Sequence, residues 1–459
     1  MLERLKAIVG PSGWTTDPAA LEPHLREWRG VWQGSTPIMV SPHTTEQVAA
    51  VMAACAGSGT ALVPQGGNTG LCGGAIPSGR QVLLSLARLD AIRSISPDDF
   101  SMVVEAGCIL ANVQSAAAEA GRYFPLSLAA EGSAQIGGNL STNAGGINVL
   151  RYGTARNLVL GLEVVLADGS VWHGLRALRK DTAGYDLKQL FIGSEGTLGI
   201  ITAATLRLFP PPRNVRTAML ALTSPHDAVR LLSFLRERAG DGLEAFELIQ
   251  HRALALVLRH IPSTRSPFGA GHDWYVLLDA SDTSDPERIS DLLGAALERS
   301  LAVDAVLAKN ETEAGELWRL RHSISEAQKY AGASLKHDVS VPIGRIGEFI
   351  ERAEAAIVQC LPGARTVAFG HVGDGNVHFN VSQPPDWSAE RFHEKGTGLT
   401  TVVYDLVAEF EGSISAEHGI GQAKKHWLRR YRGPVDLALM QALKSALDPR
   451  NLLNPGKVL

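Results

Sequence analysis

The chain has 459 residues, 45% hydrophobic and 20% charged, a balance that excludes a disordered or fibrous protein. That length is about three times a typical domain, so two or three domains are expected. Forty-three basic and 47 acidic residues leave a formal charge of −4 with no long basic run, which excludes a sequence-independent nucleic-acid binder.

No stretch of 18 residues is apolar enough to predict a transmembrane segment. The N-terminus opens an amphipathic, mixed-charge segment without the apolar core of a secretory signal. Cys55, Cys72, Cys108 and Cys360 are scattered with no CxxC pair. They read as buried thiols of a reducing compartment, and the expectation is a cytoplasmic protein.

In chain order, amphipathic helices are predicted over 45–55 and 110–119, and short strands over 61–63, 81–85 and 101–105. Of 47 glycines, 27 lie in the first 200 residues, so this half reads as a mixed α/β region rich in tight turns. Pro210, Pro211 and Pro212 stop regular structure and mark a boundary. Strands over 217–222 and 273–278 and helices over 224–239 and 285–298 then suggest a helix-covered sheet.

Three small-residue loops lie in the first half. Segment 64–74, PQGGNTGLCGG, follows an apolar strand and holds five glycines in nine positions, which lets successive N–H groups approach an anion. It is neither a Walker loop nor a GxGxxG fingerprint. The second loop spans 131–146 and the third 192–201. Three such loops suggest an extended cofactor that touches backbone at several points, where a compact phosphate needs one loop.

Over nearly its whole length the chain resembles the FAD-dependent oxidoreductases of the vanillyl-alcohol oxidase type. The resemblance implies an α+β fold, with a two-subdomain FAD-binding domain at 1–212, a substrate (cap) domain at 213–411, and a C-terminal segment at 412–459 that returns to the flavin. It implies that Gln65, Gly66, Gly67, Asn68, Thr69 and Gly70 line the FAD pyrophosphate. Ser133, Gly137, Gly138, Thr142, Asn143, Gly145, Gly146, Ile201 and Asn454 would line the rest. The first loop has no histidine, so tight noncovalent FAD is expected, with Cys72 the one residue to watch.

Segment 368–381 contains Asp374-Gly375, a strong two-residue hairpin signal. A type I′ turn there predicts His371 opposite His378, with Asn376 and Asn380 on their side and Val372, Val377, Phe379 and Val381 on the other. Two imidazoles on one face suit Zn²⁺ or a similar ion, and ordinary paired surface histidines are the alternative. The patterns GHxGDGNxHxN and SAEHGxG resemble the metal-dependent branch of the D-2-hydroxy acid dehydrogenases. That resemblance implies His371, His378 and Glu417 as metal ligands and His418 beside the substrate as the general base.

Segment 318–326 has helical periodicity that places Arg321 and Ser325 at i, i+4, and Lys336 follows in a predicted strand. For an isolated arginine a solvated face is the commoner outcome. The resemblance instead assigns Arg321, Ser325 and Lys336 to substrate carboxylates, with His371 and Asn380 also at the substrate. Two cations favour a dicarboxylate over D-lactate, with D-2-hydroxyglutarate the leading candidate and D-malate and D-lactate the alternatives. Hydride from C2 would pass to flavin N5, and an electron-transferring flavoprotein, a quinone or a cytochrome would reoxidise it. A homodimer is left open, and a zinc hydrolase or a non-redox flavoprotein are the remote alternatives.

Overall fold

The computed structural model describes residues 1–282, 285 and 287–459. It divides into two compact units, Met1–Gly145 with Gly153–Pro211 and Glu417–Leu459, and Gly146–Tyr152 with Pro212–Ala416.

The first unit holds two sheets. Strands β1 (Trp14–Thr15), β2 (Met39–Val40), β3 (Leu62–Gln65) and β4 (Val82–Ser85) form a four-stranded sheet in the order β1-β2-β4-β3. Strands β5 (Ile92–Ser96), β6 (Ser101–Glu105), β7 (Val159–Val165), β8 (Val171–Gly174) and β9 (Ile200–Arg207) form a second, antiparallel sheet in the order β5-β6-β9-β7-β8. The helix Thr45–Ser58 begins where Thr44 accepts the Gln47 N–H, and ends where Gly59 takes the left-handed conformation at φ 68°. Its Val48, Val51, Met52 and Cys55 share a fully buried cluster with Leu62, Val82 and Leu84. Each such side chain contributes roughly 1.5–3 kcal/mol.

Strand β9 ends just before the prolines at 210–212, which have no N–H to extend a ladder. In the second unit, β10 (Val215–Leu222), β11 (Leu243–Gln250), β12 (Trp274–Ser281), β13 (Asp304–Leu307), β14 (Ser334–Ser340), β15 (Arg365–Gly370) and β16 (Asn376–Ser382) form one antiparallel sheet. Its order is β13-β10-β12-β11-β15-β16-β14. Helices cover both faces. Met219, Ala221, Ile249 and Leu277 pack with Val257 of the helix His251–His260 and with Leu317 and Leu320 of the helix Glu311–His322. On the opposite face Phe379 meets Phe349 of the helix Ile346–Cys360. This double cover explains why every residue of 217–222 is buried and why the run lacks alternation. The helix predicted over 285–298 forms as Arg288–Glu298, and position 286 of that span lies outside the described residues.

The predicted type I′ hairpin does not form. Phe369, rather than His371, pairs with His378, and residues 371–375 make a five-residue loop with a 3₁₀ turn at Val372–Asp374. The Asp374 carboxylate accepts the Asn376 N–H at 3.1 Å, and the His371 carbonyl accepts from both Asp374 and Asn376. A short acidic side chain that captures local backbone widens the turn. Gly375, at φ 94°, closes it; a Cβ there would lie 2.6 Å from the Val341 carbonyl oxygen.

Candidate active site

In the first unit the three glycine loops surround one groove. Gln65, Gly66, Gly67, Asn68, Thr69, Gly70, Gly137, Gly138, Thr142, Ile201 and Asn454 line it, together with His418. The first two loops meet because neither carries a side chain at the contact: a Cβ on Gly67 would lie 2.0 Å from the Ser133 carbonyl oxygen. The Gln65 amide donates to the carbonyls of His24 and Ala75, and Asn68 donates to those of Pro23 and Arg26. These side chains brace the loop, so what it offers a ligand is backbone. Ser133, Asn143, Gly145 and Gly146 lie outside the groove lining. Asn143 instead accepts the Arg156 N–H at 3.0 Å, and Gly146 belongs to the second unit.

Sequence reasoning missed three groove residues. Gln135 and Asn139, beside Asn454, each carry a buried amide oxygen with no protein partner, Oε1, Oδ1 and Oδ1 respectively. An unmet buried acceptor costs about 1–3 kcal/mol. Ribityl hydroxyls, an adenine amino group and a flavin ring N–H are donors of the kind that would meet them, so the groove fits FAD. The third is Glu195, whose two carboxylate oxygens accept the N–H groups of Ile420 and Gly421, each at 2.7 Å. It pins the segment that begins with Glu417 and His418 to the third loop. Burial raises its carboxyl above the usual range, and the two N–H groups partly offset this.

In the second unit the rings of His371 and His378 stand 5.6 Å apart, centroid to centroid. Each has a carboxylate on a flanking strand. Glu247 of β11 lies 2.5 Å from His371 Nδ1, and Asp338 of β14 lies 3.7 Å from His378 Nδ1. Glu247 also accepts from Arg321 Nε at 2.7 Å. Burial would raise its carboxyl, but His371 and Arg321 outweigh that and hold it at about 2. Two imidazoles backed by carboxylates are a donor pair suited to Zn²⁺ or a similar ion, which needs a further oxygen ligand. Glu417, the predicted third ligand, belongs with His418 to the first unit.

Arg321 is buried in the last turn of its helix, whereas Ser325 is exposed in the separate short helix Ile324–Ala327. The helix is interrupted at Ser323, which keeps right-handed helical dihedrals (φ −80°, ψ −5°), and the two side chains differ in exposure. Lys336 is exposed on β14, and buried Asn380 donates from Nδ2 to Gln328 Oε1 at 2.9 Å. Among the described residues no helix is long and apolar enough to cross a membrane.

Residues 36–174 match the family described as FAD binding domain, and residues 211–458 the one described as FAD linked oxidases, C-terminal domain. The chain is 38% identical to the mitochondrial D-2-hydroxyglutarate dehydrogenase of Arabidopsis thaliana, over 99% of this chain and 80% of the relative. It is 40% identical to the mitochondrial enzyme of that name from Bos taurus, over 100% and 83%. It is also 40% identical to the D-2-hydroxyglutarate dehydrogenase of Xanthomonas citri pv. viticola, over 96% and 93%. Among solved structures, substrate-bound p-cresol methylhydroxylase has a TM-score of 0.80 at 18% identity, covering 100% of this chain and 96% of that one. The 4-ethylphenol oxidase of Gulosibacter chungangensis gives 0.77 at 20%, with the same coverage. These two share the fold, and the α+β vanillyl-alcohol oxidase type expected from the motifs is the one observed. The chain belongs to the FAD linked oxidase family, alongside these D-2-hydroxyglutarate dehydrogenases, and is an FAD-dependent oxidoreductase.

Proposed function

We propose that the protein oxidises a D-2-hydroxy acid, D-2-hydroxyglutarate foremost, to its 2-oxo acid with noncovalent FAD and a divalent ion, Zn²⁺ first. The observation that carries the substrate class is the full-length likeness to D-2-hydroxyglutarate dehydrogenases of three organisms. Bound in the groove, FAD would supply a hydride acceptor for C2, and a divalent ion held by the histidine pair would supply the charge that acidifies the 2-hydroxyl. His371, His378 and Glu417 are the proposed ligands, and His418 takes the hydroxyl proton as general base. Arg321 and Lys336 bind carboxylates, with Ser325 and Asn380 as polar contacts. Cys72 donates from Sγ to the Gly419 carbonyl at 3.3 Å, a structural use that supports a flavin not linked to it.

The flavin is reoxidised by an electron-transferring flavoprotein, a quinone or a cytochrome, and a homodimer remains among the assemblies to test. Cytoplasmic residence is proposed from the free thiols, of which Cys55, Cys72 and Cys108 are buried while Cys360, against expectation, is exposed, and the relatives named mitochondrial supply the competing compartment. The deciding experiment mixes the purified protein anaerobically with D- and L-2-hydroxyglutarate, D-malate and D-lactate. Bleaching of the flavin by D-2-hydroxyglutarate at the highest kcat/KM is expected. Bleaching by none of the D-acids would sink the proposal.

A further inference from the structure

Glu247 joins two residues to which sequence reasoning gave separate tasks. Leu248 of β11 lies opposite Gly370 of β15, and one further step of that register brings Glu247 beside His371. Strand alternation puts Glu247 on the face of Ile249, toward the helix that carries Arg321. Its side chain is wholly buried. One oxygen meets His371 Nδ1 at 2.5 Å and the other Arg321 Nε at 2.7 Å. The guanidinium carbon also sits 4.9 Å from the centre of the Phe369 ring, which further limits its swing.

A buried carboxylate is tolerated only when its charge is balanced and its oxygens are bonded, so neither contact is readily exchanged for solvent. With Nδ1 committed as donor, the nitrogen of His371 able to ligate a metal is Nε2. With Nε committed to Glu247, the two Nη groups are what Arg321 can offer to a further carboxylate. We propose that Glu247 is a positioning residue for the oxidation: one carboxylate sets the ligating tautomer of His371 and the fork direction of Arg321. Metal affinity and substrate affinity are thereby tied to a single side chain. This inference rests on the metal reading proposed above.

The test uses flavin-loaded wild type and Glu247→Gln, titrated with Zn²⁺ against a chromophoric chelator, with KM and kcat for D-2-hydroxyglutarate measured at saturating Zn²⁺. A glutamine keeps one acceptor but turns an NH₂ donor toward either His371 or Arg321. Zinc binding is expected to weaken 10- to 100-fold, with KM rising by a similar factor and flavin absorbance unchanged. Wild type that binds no Zn²⁺ would defeat the metal reading itself. Wild type that binds it, with Glu247→Gln equal in zinc affinity and in KM, would overturn this inference. If Glu247→Gln does not fold, the paired Glu247→Gln/Arg321→Met variant removes charge and countercharge together and carries the same zinc titration. Weaker zinc binding there supports the role, and wild-type affinity overturns it.

Discussion

The imidazoles of His371 and His378 are inclined 78° to one another, with 5.6 Å between ring centroids, although the strand partner of His378 is Phe369. His371 reaches this position from outside the ladder, in the loop that Asp374 widens. Carboxylates on the two flanking strands stand behind the pair, Glu247 for one ring and Asp338 for the other. A surface histidine pair needs no such backing. A metal pair uses it to fix tautomer and orientation.

Chelation is therefore expected to abolish turnover and leave the flavin spectrum intact, because both histidines lie outside the groove lining. His378→Ala should lose bound metal in the same way. Metal content by elemental analysis, read beside flavin absorbance, checks both. Full activity in a sample shown to be metal-free would remove the metal from the mechanism.

Gly67→Ala tests the groove. The added Cβ would fall 2.0 Å from the Ser133 carbonyl oxygen, on backbone that has no rotamer by which to move aside. The two loops must part, at a cost of about 1–3 kcal/mol typical of overpacking. Purified Gly67→Ala is expected to carry clearly less FAD per chain, whereas Gly57→Ala, exposed on the helix Thr45–Ser58 outside the groove lining and with open space around its Cβ, should stay close to wild type. Equal flavin content in the two variants would show that the close approach is not needed for binding.

The apolar periodicity of the chain made Leu110–Glu119 and Ser101–Glu105 legible residue for residue. The glycine loops were legible because three of them occur in one half of the chain. Glu247 was not. In the run 243–250, LEAFELIQ, the polar residues recur at every third position and mark no single strand face, and the burial of Glu247 follows from helices on both sheet faces, which no local pattern records. The register of His371 was misread because the Asp-Gly signal omits the pull of the Asp374 side chain on its own backbone. Gln135 and Asn139 escaped notice for a different reason. Inside a glycine loop an amide reads as turn chemistry until the groove leaves its oxygen without a partner.

Lys457 predicts a pH dependence. It is buried and donates from Nζ to the Ile76 carbonyl at 2.8 Å, and burial lowers its ammonium from 10.5 to about 8. Between these two values the folded chain has released a proton that the unfolded chain keeps, so this residue's contribution to stability rises with pH across that window. Below about pH 8 both states are protonated and the penalty is constant. Lys457→Met removes it and should stabilise the protein at pH 7 by about 2 kcal/mol, net of one lost hydrogen bond. The advantage over wild type should shrink as pH approaches 10. Thermal melts of both proteins at pH 7 and pH 10 decide it, and a gap independent of pH would contradict the assignment.

The last prediction concerns substrate charge. Arg321→Ala would strip a carboxylate of its bidentate partner, a loss of roughly 2–5 kcal/mol. At about 1.4 kcal/mol per decade, that is at least a tenfold fall in kcat/KM. The same change leaves Glu247 buried without its guanidinium, which destabilises by roughly 3–5 kcal/mol. A fall in Tm should accompany the fall in activity, so Arg321→Ala cannot by itself assign substrate contact. Lys336 separates the two effects. It is exposed on β14, where even a side chain engaged in an ion pair contributes no more than about 1 kcal/mol to stability. Lys336→Ala is therefore expected to keep its Tm and to lose less kcat/KM than Arg321→Ala, since a point charge makes fewer directed hydrogen bonds. If the lysine reads the distal carboxylate, its loss should fall on D-2-hydroxyglutarate and spare D-lactate, which has no such group. Equal losses on both substrates, in a wild type that prefers D-lactate, would place the lysine at the α-carboxylate or in the fold and end the dicarboxylate assignment.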